Sequence, residues 1–120
     1  MEIFKEFTFE AAHHLPNVPP THPCARVHGH SFTLRVSVRG PLDRKAGWVV
    51  DFADIIERTA PMIAELDHHD LNEIPGLENP TTELLARWVW KRLKSQLPGL
   101  SRIEIRETAT TGCVYDGADG

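Results

Sequence analysis

The chain has few cysteines, no long apolar run and no excess of positive charge, and each shortage removes a class of function. Two cysteines, Cys24 and Cys113, in 120 residues cannot build a disulfide framework, and free thiols are expected. No apolar stretch approaches the roughly 18 residues that a bilayer-spanning helix needs. The opening Met1-Glu2-Ile3-Phe4-Lys5-Glu6 does not join a basic start to an apolar core as a secretory leader does, so a soluble cytoplasmic protein with no membrane partner is expected. With 13 Lys and Arg against 17 Asp and Glu, and no basic cluster, the sequence offers no electrostatic footprint for nucleic acid. There is no internal repeat or low-complexity segment. At 120 residues a single domain, 1–120, is expected, large enough for a core but too small to enclose a deep pocket easily. A site at a boundary between subunits would solve that problem.

What the sequence has in quantity is histidine, seven residues in all. The densest chemistry lies in Cys24-Ala25-Arg26-Val27-His28-Gly29-His30, which runs into a segment of strict alternation. Phe32, Leu34, Val36 and Val38 occupy one phase and Thr33, Arg35, Ser37 and Arg39 the other, the pattern of a half-buried strand. Extended backwards, the apolar phase takes in His28 and His30, whose imidazoles would stand about 6.6 Å apart along the strand and point the same way. An earlier strand-like run, Ile3 to Ala12, carries Ile3, Phe7, Phe9 and Ala11 in one phase, and that phase continues to His13. Three histidines therefore end two strands on their inward faces. Three neutral imidazoles with one position left open is the arrangement of a catalytic zinc, although imidazole also suits iron, copper and nickel. The rival reading adds Cys24 as a fourth ligand and closes a structural zinc site in a non-catalytic binding module.

Further along, Leu15 to Pro23 holds four prolines and is expected to be a loop that delivers Cys24 close to the metal. Asp51 is a suitable cap for a helix with apolar positions Phe52, Ile55, Ile56, Ile63 and Leu66, bent at Pro61. Asp67-His68-His69-Asp70 has no amphipathic period; a carboxylate beside an imidazole is the pairing that orients a proton carrier, while a solvated helix end is the plainer reading. A second helix begins at Asn79 or Thr81, buries Ala86, Val89, Trp90, Leu93 and Leu97, and stops at Pro98-Gly99. The tryptophans are expected to pack in the core. The strand Arg102 to Glu107 brings a carboxylate, Glu107, into the apolar phase, where it requires an internal cation or a ligand as partner. Cys113 should be a small packed side chain in a short last strand, and Asp116 to Gly120 a frayed tail. The element order predicts an α+β fold, ββααββ, with an antiparallel four-stranded sheet and two helices on one face.

Six short motifs, taken together, resemble the 6-pyruvoyl-tetrahydropterin synthase family. They are F-E-A-A-H at Phe9 to His13, C-x-x-x-H-G-H at Cys24 to His30, D-F at Asp51-Phe52, L-D-H at Leu66 to His68, N-P-T at Asn79 to Thr81, and Glu107-Thr108. The three residues between Cys24 and His28 resemble the 6-carboxy-tetrahydropterin synthase branch of queuosine biosynthesis, whose spacing is shorter than that of the pyruvoyl branch. The resemblance implies a tunnelling fold in which small subunits join their sheets into an oligomeric barrel, commonly a homohexamer with interfacial active sites. It also implies a zinc-dependent lyase converting 7,8-dihydroneopterin triphosphate to 6-carboxy-5,6,7,8-tetrahydropterin, acetaldehyde and triphosphate. A pyruvoyl product formed without acetaldehyde is the alternative. On the same grounds His13, His28 and His30 would hold Zn2+, and Cys24 would be the base. Asp67 and His68 would form a proton relay, and Glu107 would bind the pterin edge.

Overall fold

The computed structural model describes residues 1–118. Two long strands, β1 (Glu2–His13) and β2 (His28–Arg39), form the centre of the sheet and pair antiparallel over their whole length. Both alternate, so one face of the pair is Phe7, Phe9, Ala11, Phe32, Leu34, Val36 and Val38, and the other is largely polar. β4 (Leu100–Arg106) adds to β2, and β5 (Gly112–Tyr115) adds to β4, both antiparallel. Helices α1 (Phe52–Leu66) and α2 (Thr82–Lys94) cover the apolar face, α1 over β1 and α2 over β4 and β5. Phe9, Phe32, Leu34, Val36, Ile55, Leu66, Leu85, Val89, Leu93, Ile103 and Ile105 meet there in one core, each no more than 2% exposed. The expected α+β arrangement with two helices on one face is thus observed.

The sheet has one more strand than the sequence pattern indicates. β3 (His69–Asp70) runs parallel to β1, pairing Ala11 with His69 and Ala12 with Asp70, so the strand order is β3-β1-β2-β4-β5. Two residues cannot display a period, and what lays this segment beside β1 is a pair of contacts just before it. The Glu10 N–H donates to Asp67 Oδ1 at 2.9 Å, and the His68 N–H donates to the Glu10 carbonyl. N-terminal to Glu10, β1 pairs with no strand on this side among the described residues.

Three other details differ from expectation. In α1, capped by Asp51, the buried face is Ile55, Thr59, Met62 and Leu66, while Phe52 and Ile56 lie outside that stripe and are exposed. The helix continues through Pro61 because Pro61 and Glu57 are on its solvent side, where the freed carbonyl can be hydrated. In the expected frayed tail, Asp116–Ala118 is ordered around Gly117, whose positive φ of 87° lets the chain turn tightly against Trp90, where a Cβ would come within 2.4 Å of the ring. Asp119 and Gly120 lie outside the described residues. The Thr81 hydroxyl caps α2 by accepting from the Leu84 N–H at 3.1 Å, and Trp88 and Trp90 pack against the core as expected.

Candidate metal centre

The register of β1 and β2 assembles the histidines. Phe9 lies opposite Phe32 with the rings stacked 5.0 Å apart, and two further steps put Ala11 opposite His30 and His13 opposite His28. His13, His28 and His30 therefore share the end of the apolar face, with ring centroids 4.6 to 5.2 Å apart in edge-to-face contact. Phe32 floors the cluster through edge contacts with His13 and His30. His13 is 1% exposed, and one nitrogen from each ring lies within 4.8 Å of the others.

Backbone carbonyls set the tautomers. His13 Nδ1 is 2.9 Å from the Pro80 carbonyl and His28 Nδ1 is 2.7 Å from the Arg26 carbonyl. A carbonyl only accepts, so both Nδ1 atoms carry the proton and both Nε2 atoms present a lone pair. Burial lowers the pKa of His13 below its ordinary 6.5, the Pro80 hydrogen bond and Glu107 opposing it less strongly, so the ring is neutral. Its Nε2 is buried and has no hydrogen-bond partner. Glu107 Oε1 nevertheless stands 3.2 Å from His13 Nε2 and 3.7 Å from His30 Nε2. At His13 this sets a lone pair against a carboxylate, a contact that repels unless a cation stands near both. Three convergent imidazoles, two with their tautomers fixed and one with an orphaned buried nitrogen, fit a metal ion and could hold one.

Cys24 does not belong to this group, whose ligand-capable atoms among the described residues are the three imidazoles alone. It lies half-buried on a single turn of 3₁₀ helix, Pro23–Ala25, and its carbonyl accepts from the Leu15 N–H at 2.7 Å, two residues past His13. Glu107 follows the last residue of β4 and also borders a hollow of about 540 Å³ with Glu6, Thr33 and Thr108.

The Asp67–His68 pair is formed, Asp67 Oδ2 lying 3.0 Å from His68 Nδ1. The Glu10 N–H and then His68 hold the Asp67 carboxyl below the usual carboxylate range. His68 has φ 59°, a left-handed conformation uncommon outside glycine. It lines an open groove of about 470 Å³ with Glu10, Ala12, Gly29 and Ser31, which alternation assigns to the face opposite Phe9, Phe32 and the imidazole cluster. His30 is the one member of the cluster that also borders this groove.

Two supporting residues were missed in the sequence. Pro80 acts through its carbonyl, which no side-chain pattern reveals, although N-P-T is among the motifs. Asn72 grips the residue after His13 at two points, its Oδ1 accepting from the His14 N–H at 2.9 Å and its Nδ2 donating to the His14 carbonyl at 2.8 Å. Cys113 is a packed thiol, as expected, donating to the Thr82 carbonyl and pushed up in pKa by burial.

The profile of the family described as 6-pyruvoyl tetrahydropterin synthase matches residues 2–118. The chain is 41% identical to a 6-carboxy-5,6,7,8-tetrahydropterin synthase of Synechocystis, over 94% of this chain and 91% of the relative. It is 37% identical to a dihydroneopterin monophosphate aldolase of Pyrococcus furiosus, over 88% of each. The 6-pyruvoyl tetrahydropterin synthase structure from Caenorhabditis elegans superposes with a TM-score of 0.91 at 24% identity, covering 98% of this chain and 96% of that one, which speaks to the fold.

Proposed function

The chain belongs to the 6-pyruvoyl tetrahydropterin synthase family, and from that premise we propose that it is a 6-carboxy-tetrahydropterin synthase. In this reading it is a zinc-dependent lyase of queuosine biosynthesis in the cytoplasm, converting 7,8-dihydroneopterin triphosphate to 6-carboxy-5,6,7,8-tetrahydropterin, acetaldehyde and triphosphate. The observation that carries the reading is the group of three imidazoles, with the lone pairs of His13 and His28 freed by carbonyl partners on the opposite nitrogens. A ligand group that stops at three leaves room for substrate and argues against a closed structural site completed by Cys24.

His13, His28 and His30 would hold the ion. When bound, zinc supplies a Lewis acid for the oxygens of the substrate side chain. Cys24, on its short turn, takes the proton from the neighbouring carbon of the substrate side chain. Asp67 orients His68 through Nδ1 and leaves Nε2 to carry protons to and from the substrate. Glu107 accepts paired hydrogen bonds from the pterin's guanidine-like edge.

Two observations support a homo-oligomer, taken here as a hexamer of joined sheets. Among the described residues β1 leaves most of one edge open, and such an edge is a template for another strand. His68 lines a groove that His30 alone of the imidazole cluster borders, and a second copy docked there would bring a relay to the rest of the cluster. The deciding experiment incubates the zinc-loaded protein with 7,8-dihydroneopterin triphosphate and assays acetaldehyde and the pterin product together. Acetaldehyde in step with 6-carboxy-tetrahydropterin is expected; a pyruvoyl product without acetaldehyde would assign the chain to the other activity of the family.

A further inference from the structure

We propose that His22 is a positioning residue for the Cys24 thiol, holding the backbone from which the thiol projects; the link to catalysis rests on the reading of Cys24 as the base. The Cys24 N–H donates to His22 Nδ1 at 3.0 Å. The Cys24 carbonyl accepts from the Leu15 N–H at 2.7 Å. Both backbone polar groups of one residue are therefore tied, one to the strand end that carries His13 and the other to the His22 ring. Together they fix the direction of the bond from Cα to Cβ and with it the arc the sulfur can sweep.

The rest of the loop is built to hold the ring in place. His22 donates its own N–H to the Pro19 carbonyl at 2.8 Å, and its carbonyl accepts from the Ala25 N–H at 3.0 Å. Pro16, Pro19, Pro20 and Pro23 restrict the segment that leads to it. The choice of residue is unusual. Asp51, Asp70 and Thr81 cap the other helical segments with oxygen, as is general, whereas an imidazole nitrogen does so here. The ring is exposed, and the hydrogen bond it accepts from the Cys24 N–H lies at the surface, so water can replace that bond when the ring is removed. Folding then persists, and the loss falls on the placement of the thiol.

The test uses the full-length, zinc-loaded protein with His22→Ala, His22→Asn and Cys24→Ala. Asparagine keeps a short acceptor where the ring nitrogen stood. Amide hydrogen exchange at Cys24 is expected to quicken about tenfold in His22→Ala and to return towards wild type in His22→Asn. With it, kcat should fall about 10- to 100-fold in His22→Ala while KM and zinc content hold, and His22→Asn should recover most of the loss. Unchanged kcat in His22→Ala, equal impairment of both His22 variants, or loss of zinc would each overturn the assignment. Wild-type turnover in Cys24→Ala would instead remove the thiol from the chemistry, and the exchange measurement would still report whether His22 holds the backbone.

Discussion

The imidazole cluster and the Asp67–His68 corner are built in opposite ways from the same kinds of group. At the cluster, each position follows from strand register, His13 is buried, and two of three tautomers are set by carbonyls of the same chain. At the corner, the imidazole is 77% exposed, sits on strained backbone and faces a groove rather than a core. The difference teaches that a ligand set must be finished before the ion arrives, since the ion takes whatever lone pairs it is offered. A proton carrier must stay adjustable and can be finished by the molecule that docks on it.

The sharpest way to break the comparison is His28→Ala. With one imidazole gone, zinc content measured by mass spectrometry should fall to background and turnover by about 10³-fold or more, since both depend on the complete ligand set. Full zinc occupancy in this variant would dissolve the distinction between the two regions. A smaller effect is expected from His68→Asn, which keeps a side chain tolerant of positive φ and removes the proton carrier. Turnover should drop about 10²- to 10³-fold with zinc and melting temperature intact, and loss of zinc there would show the corner to be part of the metal site.

The smallest effect concerns acidity. His13 binds its proton less readily folded than unfolded, so protons favour the unfolded chain. After zinc is removed by chelation, stability should be full above the ordinary histidine value of 6.5 and decline as pH falls through the lowered pKa of the folded protein. Thermal melts of the metal-free protein between about pH 8 and about pH 5 should show that decline, and His13→Gln should flatten it. An equal slope in both proteins would assign the acid sensitivity elsewhere.

How far each region could be read from the sequence follows from the same contrast. The cluster was readable because Phe9, Phe32 and the three histidines obey one alternation, and alternation becomes geometry as soon as two strands pair. The pairing of Asp67 with His68 was readable, but their place on the sheet was not. It depends on a strand of two residues and on one residue with φ 59°, neither of which leaves a periodic trace. Phe52 and Ile56 count among the apolar positions of α1, but a wide apolar stripe does not show which edge of it meets the sheet; the structure leaves both exposed. Glu107 is the carboxylate that alternation turns inward, and His13 and His30 are the residues it approaches.

The Pro80 carbonyl that fixes His13 stands two residues before the first turn of α2. One end of that helix is thereby tied to the His13 ring, and the same helix carries Trp88 and Trp90 roughly two turns further along. A movement of the His13 ring on metal binding would pass through that helix end towards two native fluorophores, so tryptophan emission is expected to change when zinc is added to the metal-free protein.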